Sequence, residues 1–175
     1  MQRIFDSEPE VRAGAASLSA ARVSRAADSA PLILALTRLS NDPDEQVRKA
    51  VSEVVRELRD QPLGPLRQLL GALIESPTYT HATPQLLIVL QNAKDKVDDL
   101  VDKAAHAFLD VHREEVSDIR TGAAADAHYI ADLVVRGLAQ ASDAKRVSSL
   151  LDILDRLVEL GGYGVDSAIE SADRA

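Results

Sequence analysis

The 175-residue sequence predicts an all-α fold: a solenoid of antiparallel helix pairs, with about nine helices and no strand. Three observations carry that expectation. Aromatic residues make up only 3% of the chain while 46% is apolar, so the interior must be built from Leu, Val, Ile and Ala. An Ala-rich interior lets backbones approach closely and suits helix on helix, whereas sheets favour aromatic and β-branched residues. Apolar residues recur at helical spacing, and an acidic, Pro-containing turn recurs 36 residues apart, a period that marks stacked repeats. At this length a single domain over 1–175 is the default.

The elements follow in order. The first helix opens at the turn Asp6-Ser7-Glu8-Pro9 and carries Val11, Ala15 and Leu18 as its buried stripe. Pro31 to Leu39 is a short, nearly all-apolar helix with Pro at an early position, where a missing N–H costs nothing. Ser40-Asn41 stops it. Asp42-Pro43-Asp44-Glu45 then has the form of an N-cap at Asp42, with Pro at the first helical position and Glu at the third. The following helix buries Val47, Ala50, Val51, Val54, Val55 and Leu58 and turns Lys49, Ser52, Glu53, Arg56 and Glu57 to solvent.

Beyond position 59 the pattern loosens. Pro62 opens a helix with Leu66, Leu69, Leu70, Leu73 and Ile74 on one face, and Ser76-Pro77-Thr78 breaks it. A helix over 83–93 holds Leu86 to Leu90 and is buried on most sides. Asp95 caps a longer helix with Val97, Leu100, Val101, Ala104, Ala105, Phe108 and Leu109 inward. Residues 114–126, poor in large apolar side chains, read as an exposed loop. Helices are expected over 127–141 and 144–160, the latter with Val147, Leu150, Leu151, Leu154, Leu157 and Val158 inward and Gly161-Gly162 as its stop. A short closing helix is expected over 163–172.

The apolar helix, the Asp42-Pro43-Asp44 turn, the Val47-Arg48 pair and Ala50 together make the segment over 30–59 resemble a HEAT repeat. Residues 6–18 repeat it: Asp6, Val11 and Arg12 align with Asp42, Val47 and Arg48, and Gly14 stands where Ala50 does. The resemblance implies a right-handed stack of helix pairs in which the Asp and Arg of each turn tie neighbouring repeats together. It also implies that the second helix of each pair faces the concave side, which singles out Lys49, Glu53 and Arg56 as the residues that meet a protein partner. Because only five residues precede Asp6, the chain is expected to begin inside an array, as the C-terminal region of a larger protein, with a divergent natural cap as the alternative.

Composition narrows the function. The chain has no Cys, so it has no disulfide framework, no thiolate zinc site and no cysteine nucleophile. No apolar run approaches the ~20 residues that cross a bilayer, and the N-terminus has no signal-peptide core, so a cytoplasmic location is expected. A net charge of −8 argues against electrostatic capture of nucleic acid.

The sequence carries no complete enzymatic or metal signature. Asp102, His106 and Asp110 fall on one helix face, but no second His–carboxylate pair shares their phase, and a solvated face with ion pairs explains them. The histidines His81, His106, His112 and His128 are not followed by Glu, unlike the iron-holding HEAT-like hydroxylases. Asp95, Asp98, Asp99 and Asp102 suit the positive end of a helix dipole, with a docking patch for a basic partner as the functional alternative. Gly161-Gly162-Tyr163-Gly164 lacks the strand and the Lys-Ser or Lys-Thr of a phosphate loop.

The expected function is a non-catalytic protein–protein interaction or scaffold module without cofactor or metal, acting as the sensor or regulatory region of a larger multidomain signalling or defence protein. The alternatives are a nucleic-acid-binding or processing HEAT-like protein, and a helical enzyme whose site forms only in a longer chain.

Overall fold

Prolines and short polar side chains decide where the helices of this protein begin. The computed structural model describes residues 2–93, 98–112 and 122–160, with Val165 and Glu170. Among them are eight α-helices and no strand: α1 (Pro9–Val23), α2 (Ala30–Leu39), α3 (Glu45–Val54), α4 (Leu63–Ile74), α5 (Tyr79–Asn92), α6 (Asp98–Val111), α7 (Gly122–Gln140) and α8 (Ala144–Glu159). Two 3-10 turns precede α1 and follow α3, at Gln2–Phe5 and Val55–Leu58. The closing helix expected over 163–172 lies outside the described residues apart from buried Val165 and exposed Glu170, both helical, and the expected cap at Asp95 lies outside them altogether. No helix among the described residues is long and apolar enough to cross a membrane.

Several boundaries and faces differ from the sequence expectation. The cap of α3 is Asp44, whose carboxylate accepts from the backbone N–H of Gln46 and Val47; Asp42 sits two residues earlier and shapes the turn instead. Pro84 lies inside α5 because the carbonyl that loses its donor belongs to Thr80, which is exposed to water. Residues 122–126, expected in a loop, are helical, since Ala123-Ala124-Ala125 adds good helix formers to the start of α7. Leu18 is 54% exposed rather than buried, and Ser52 is fully buried, its hydroxyl donating to the Arg48 carbonyl. On α8 the buried stripe is Leu150, Ile153, Leu154 and Leu157, which leaves Leu151 and Val158 outside.

The chain divides into two compact units, Met1–Leu100 and Val101–Ala175. In the first, α1, α3 and α5 form one row, with α3 against both others, and α2 and α4 form a second row packed on it. The core between the rows is aliphatic: Ile33, Leu36 and Leu39 of α2 and Leu66, Leu69, Leu70 and Leu73 of α4 meet Val47, Val51, Leu86 and Leu87. Fully burying each such side chain is worth about 1.5–3 kcal/mol, so these rows fix how the turns between helices are presented.

In the second unit, α7 and α8 pack together across the short link 141–143. Gly137 of α7 lies beside Leu150 of α8: a Cβ there would stand 3.6 Å from the Leu150 side chain, an ordinary contact, so the packing does not require glycine at this position. Asp143 caps α8 by accepting from the N–H of Arg146.

Candidate functional site

The two segments aligned in sequence, now α1 and α3, lie against each other, and their turns repeat in atomic detail. The Asp6 carboxylate accepts from the Glu8 N–H at 3.1 Å, and the Asp42 carboxylate accepts from the Asp44 N–H at 3.0 Å. Arg12 donates through Nη1 to the carbonyls of Asp6 and Ser7; Arg48 donates through Nη1 to those of Asp42 and Pro43. The rest of the Arg12 guanidinium, Nε and Nη2, forks onto both oxygens of Asp42 at 2.8 and 2.9 Å. This planar, two-bond match is the geometry Arg makes best. That hydrogen bond from Arg12 holds the Asp42 carboxyl below its ordinary pKa, against the opposing push of burial.

A third turn, Ser76-Pro77-Thr78, enters α5 in the same way: the Ser76 hydroxyl accepts from the Thr78 N–H. Here there is no carboxylate. Ser76 and Thr78 pair their hydroxyls at 2.9 Å, and the Arg48 Nε is buried without a hydrogen-bond partner.

The turn before α3 aims that helix so that Val47 and Val51 face the core while Lys49 and Glu53 lie on its other side. Lys49 is half-buried and its Nζ meets the Glu45 carboxylate at 2.7 Å, an i, i+4 pair. Glu53 is exposed. Arg56 is exposed on the 3-10 turn after α3, 3.9 Å from Glu57. The three side chains thus share the outer side of α3 and its extension. Surface pairs of this kind are worth about 0–1 kcal/mol each, so a partner's charges can replace them at little cost.

The Asp102–His106–Asp110 face of α6 is engaged otherwise. Asp102 is ion-paired with Arg146 of α8, Asp110 lies 3.9 Å from Arg156 of the same helix, and His106 is exposed. Among the described residues no cluster of His, Asp and Glu could hold a metal. Of the acidic turn, Asp98 is exposed, and Asp99 takes the Arg67 guanidinium of α4 on both oxygens, at 2.6 and 2.7 Å. That bond lowers the Asp99 pKa.

In the second unit, His112 is buried against Phe108, with ring centroids 4.6 Å apart, and His128 stacks on Tyr129 at 3.8 Å. Burial raises the Asp126 carboxyl above its ordinary value, opposed by His128 and His112. The Gly161–Gly164 turn lies outside the described residues, as does the side chain of His81.

Two surfaces were not singled out from the sequence. One is a groove of about 530 Å³ between the first 3-10 turn, α1 and α2; the other is the outer face of α8. The signal for the first was the Arg3–Ile4–Phe5 run, and for the second an apolar stripe wider than one helix face can bury. Comparison with protein-family models, with curated proteins and with solved structures finds no match.

Proposed function

We propose that the chain is a HEAT-like α-solenoid module that binds another protein and performs no catalysis. What supports this reading most is the duplicated clasp: Arg12 and Arg48 make the same pair of carbonyl contacts 36 residues apart, and Arg12 reaches on to Asp42 of the following turn. A fold held by such repeated internal links keeps its shape independently of its outer side chains, which frees the outer face for recognition. The binding face is the outer side of α3, with Lys49, Glu53 and Arg56 as its charged residues. In this reading the module serves as the sensor or regulatory region of a larger cytoplasmic protein.

The test is affinity capture with the full chain, followed by identification of the retained protein. Reversing the charges at Lys49, Glu53 and Arg56 together is expected to abolish retention while leaving the circular dichroism spectrum unchanged. Retention of the same partner by the reversed variant would remove this face from the proposal. A salt-dependent gel shift with nucleic acid in place of a protein partner would overturn the reading in favour of nucleic-acid binding.

A further inference from the structure

Two surfaces of the chain, neither part of the α3 face, carry opposite charge beside exposed apolar side chains. The groove beside α1 is lined by apolar Ile4, Leu18 and Leu32 and by the basic side chains of Arg3 and Arg22. No acidic side chain lines it, and neither arginine enters an ion pair among the described residues. Next in sequence to Ile4, Phe5 is 68% exposed, with the Arg38 guanidinium over its ring at 5.3 Å. In a chain of net charge −8 this is a basic concavity with a mixed polar and apolar lining.

The outer face of α8 is its converse. Leu151 and Val158, each 45% exposed, stand two turns apart on one line, about 10 Å along the helix. Exposed Asp152, Asp155 and Glu159 lie on one side of that line and also enter no ion pair among the described residues. An amphipathic helix presenting two aliphatic anchors and an acidic border is the form of ligand that a helix-binding groove accepts.

We propose that the groove receives α8 of a second copy of this chain, Leu151 and Val158 meeting Ile4, Leu18 and Leu32, and Asp152 and Asp155 meeting Arg3 and Arg22. Charge complementarity selects the occupant. Two copies of a −8 chain repel at long range, and only a local match of this kind overcomes that repulsion. The contact joins different patches, so each bound copy still offers one unused groove and one unused α8 face, and assembly continues head to tail or closes into a ring.

Sedimentation velocity of the full chain over a wide concentration range tests this. The expected result is concentration-dependent growth beyond the monomer. Leu18→Asp disables the groove and Leu151→Asp disables the helix face; both positions are exposed, and circular dichroism checks that both variants remain folded. Each variant alone is expected to stay monomeric, whereas an equimolar mixture forms dimers and nothing larger, since one intact groove meets one intact α8. A monomeric wild type at every concentration, unchanged association of either single variant, or a mixture that stays monomeric would overturn the proposal. Charge reversal at Lys49, Glu53 and Arg56 should leave this assembly intact, so failure here and failure of the α3 reading are separately visible.

Discussion

The turn before α3 and the turn before α5 are built on the same backbone plan and closed by different chemistry. In each, a proline follows a polar residue whose side-chain oxygen accepts from the N–H two residues on, Asp42 to Asp44 and Ser76 to Thr78. Asp42 carries a second function, because its carboxylate takes the fork of Arg12 from the neighbouring helix. Ser76 has no oxygen to spare for a guanidinium; its hydroxyl is shared with Thr78, and Arg48 keeps a buried Nε unmet. The contrast separates two requirements. A turn needs one local acceptor, which Asp, Asn, Ser and Thr all supply, but receiving a guanidinium fork takes two acceptors in a plane, which the Asp42 carboxylate supplies and a hydroxyl does not.

The sharpest way to break the comparison is to remove each first residue in turn. Asp42→Ala loses the acceptor for the Asp44 N–H and strands the Arg12 fork, with a cost of about 2 kcal/mol expected for charge-assisted hydrogen bonds. Ser76→Ala loses a neutral turn bond and a hydroxyl pair, about 1 kcal/mol. Urea unfolding of the two variants reads the difference directly. Equal losses would mean that the Arg12–Asp42 fork adds nothing beyond the turn.

A smaller effect appears in the pH dependence, where Asp42 and Asp126 should act with opposite sign. Arg12 lowers the folded-state pKa of Asp42 below its unfolded value of about 3.9. Its stabilisation is therefore complete above that value and fades as pH falls through it toward the lowered one. The stability gap between wild type and Asp42→Asn is expected to shrink on acidification. Burial raises Asp126, so the folded state prefers its protonated form. That contribution is complete below about 3.9 and is lost as pH rises from there through the raised folded value. Asp126→Asn should thus gain on wild type as pH increases across the same range. Unfolding curves at several acidic pH values check both, and parallel behaviour of the two variants would contradict the assignment.

Much of this was legible in the residues. Helix existence was clear wherever a full stripe such as Leu66, Leu69, Leu70, Leu73 and Ile74 met a proline or polar stop, and all five are buried in α4. The pairing of α1 with α3 followed from the repeated Asp, Val and Arg. What pattern alone could not settle was phase. Leu18 and Leu151 sit at helical spacing from buried residues yet point outward, because Ala15, Ala16 and Ile153 already fill the space against the neighbours. Ser52 went the other way, since its hydroxyl returns to the Arg48 carbonyl and its small side chain fits a tight interface. Asp42 reads as a cap in the sequence because Asp42 and Asp44 both precede the helix, and only the positions of the N–H groups decide that Asp44 serves it. The α3 face was readable as an outer surface, while the groove and the α8 face depended on which apolar residues the core had no room for.

The finest test asks whether the third turn can be given the chemistry of the second. Ser76→Asp retains an acceptor for the Thr78 N–H and adds a carboxylate at the turn that follows Arg48, as Asp42 follows Arg12. The partner gained by the buried Arg48 Nε is offset by loss of the Ser76–Thr78 hydroxyl pair and by the cost of placing a charge at a buried position. The net gain is expected to stay within about 1 kcal/mol, too little to interpret alone. Pairing it with Arg48→Met in a double-mutant cycle isolates the link. Ser76→Asp should then be markedly less favourable when Arg48 is absent, because the new carboxylate is buried without its cation. A cycle that closes to zero would mean that α5 is set against α3 in a different register from α3 against α1, and that the arginine clasp ends as a link after a single step.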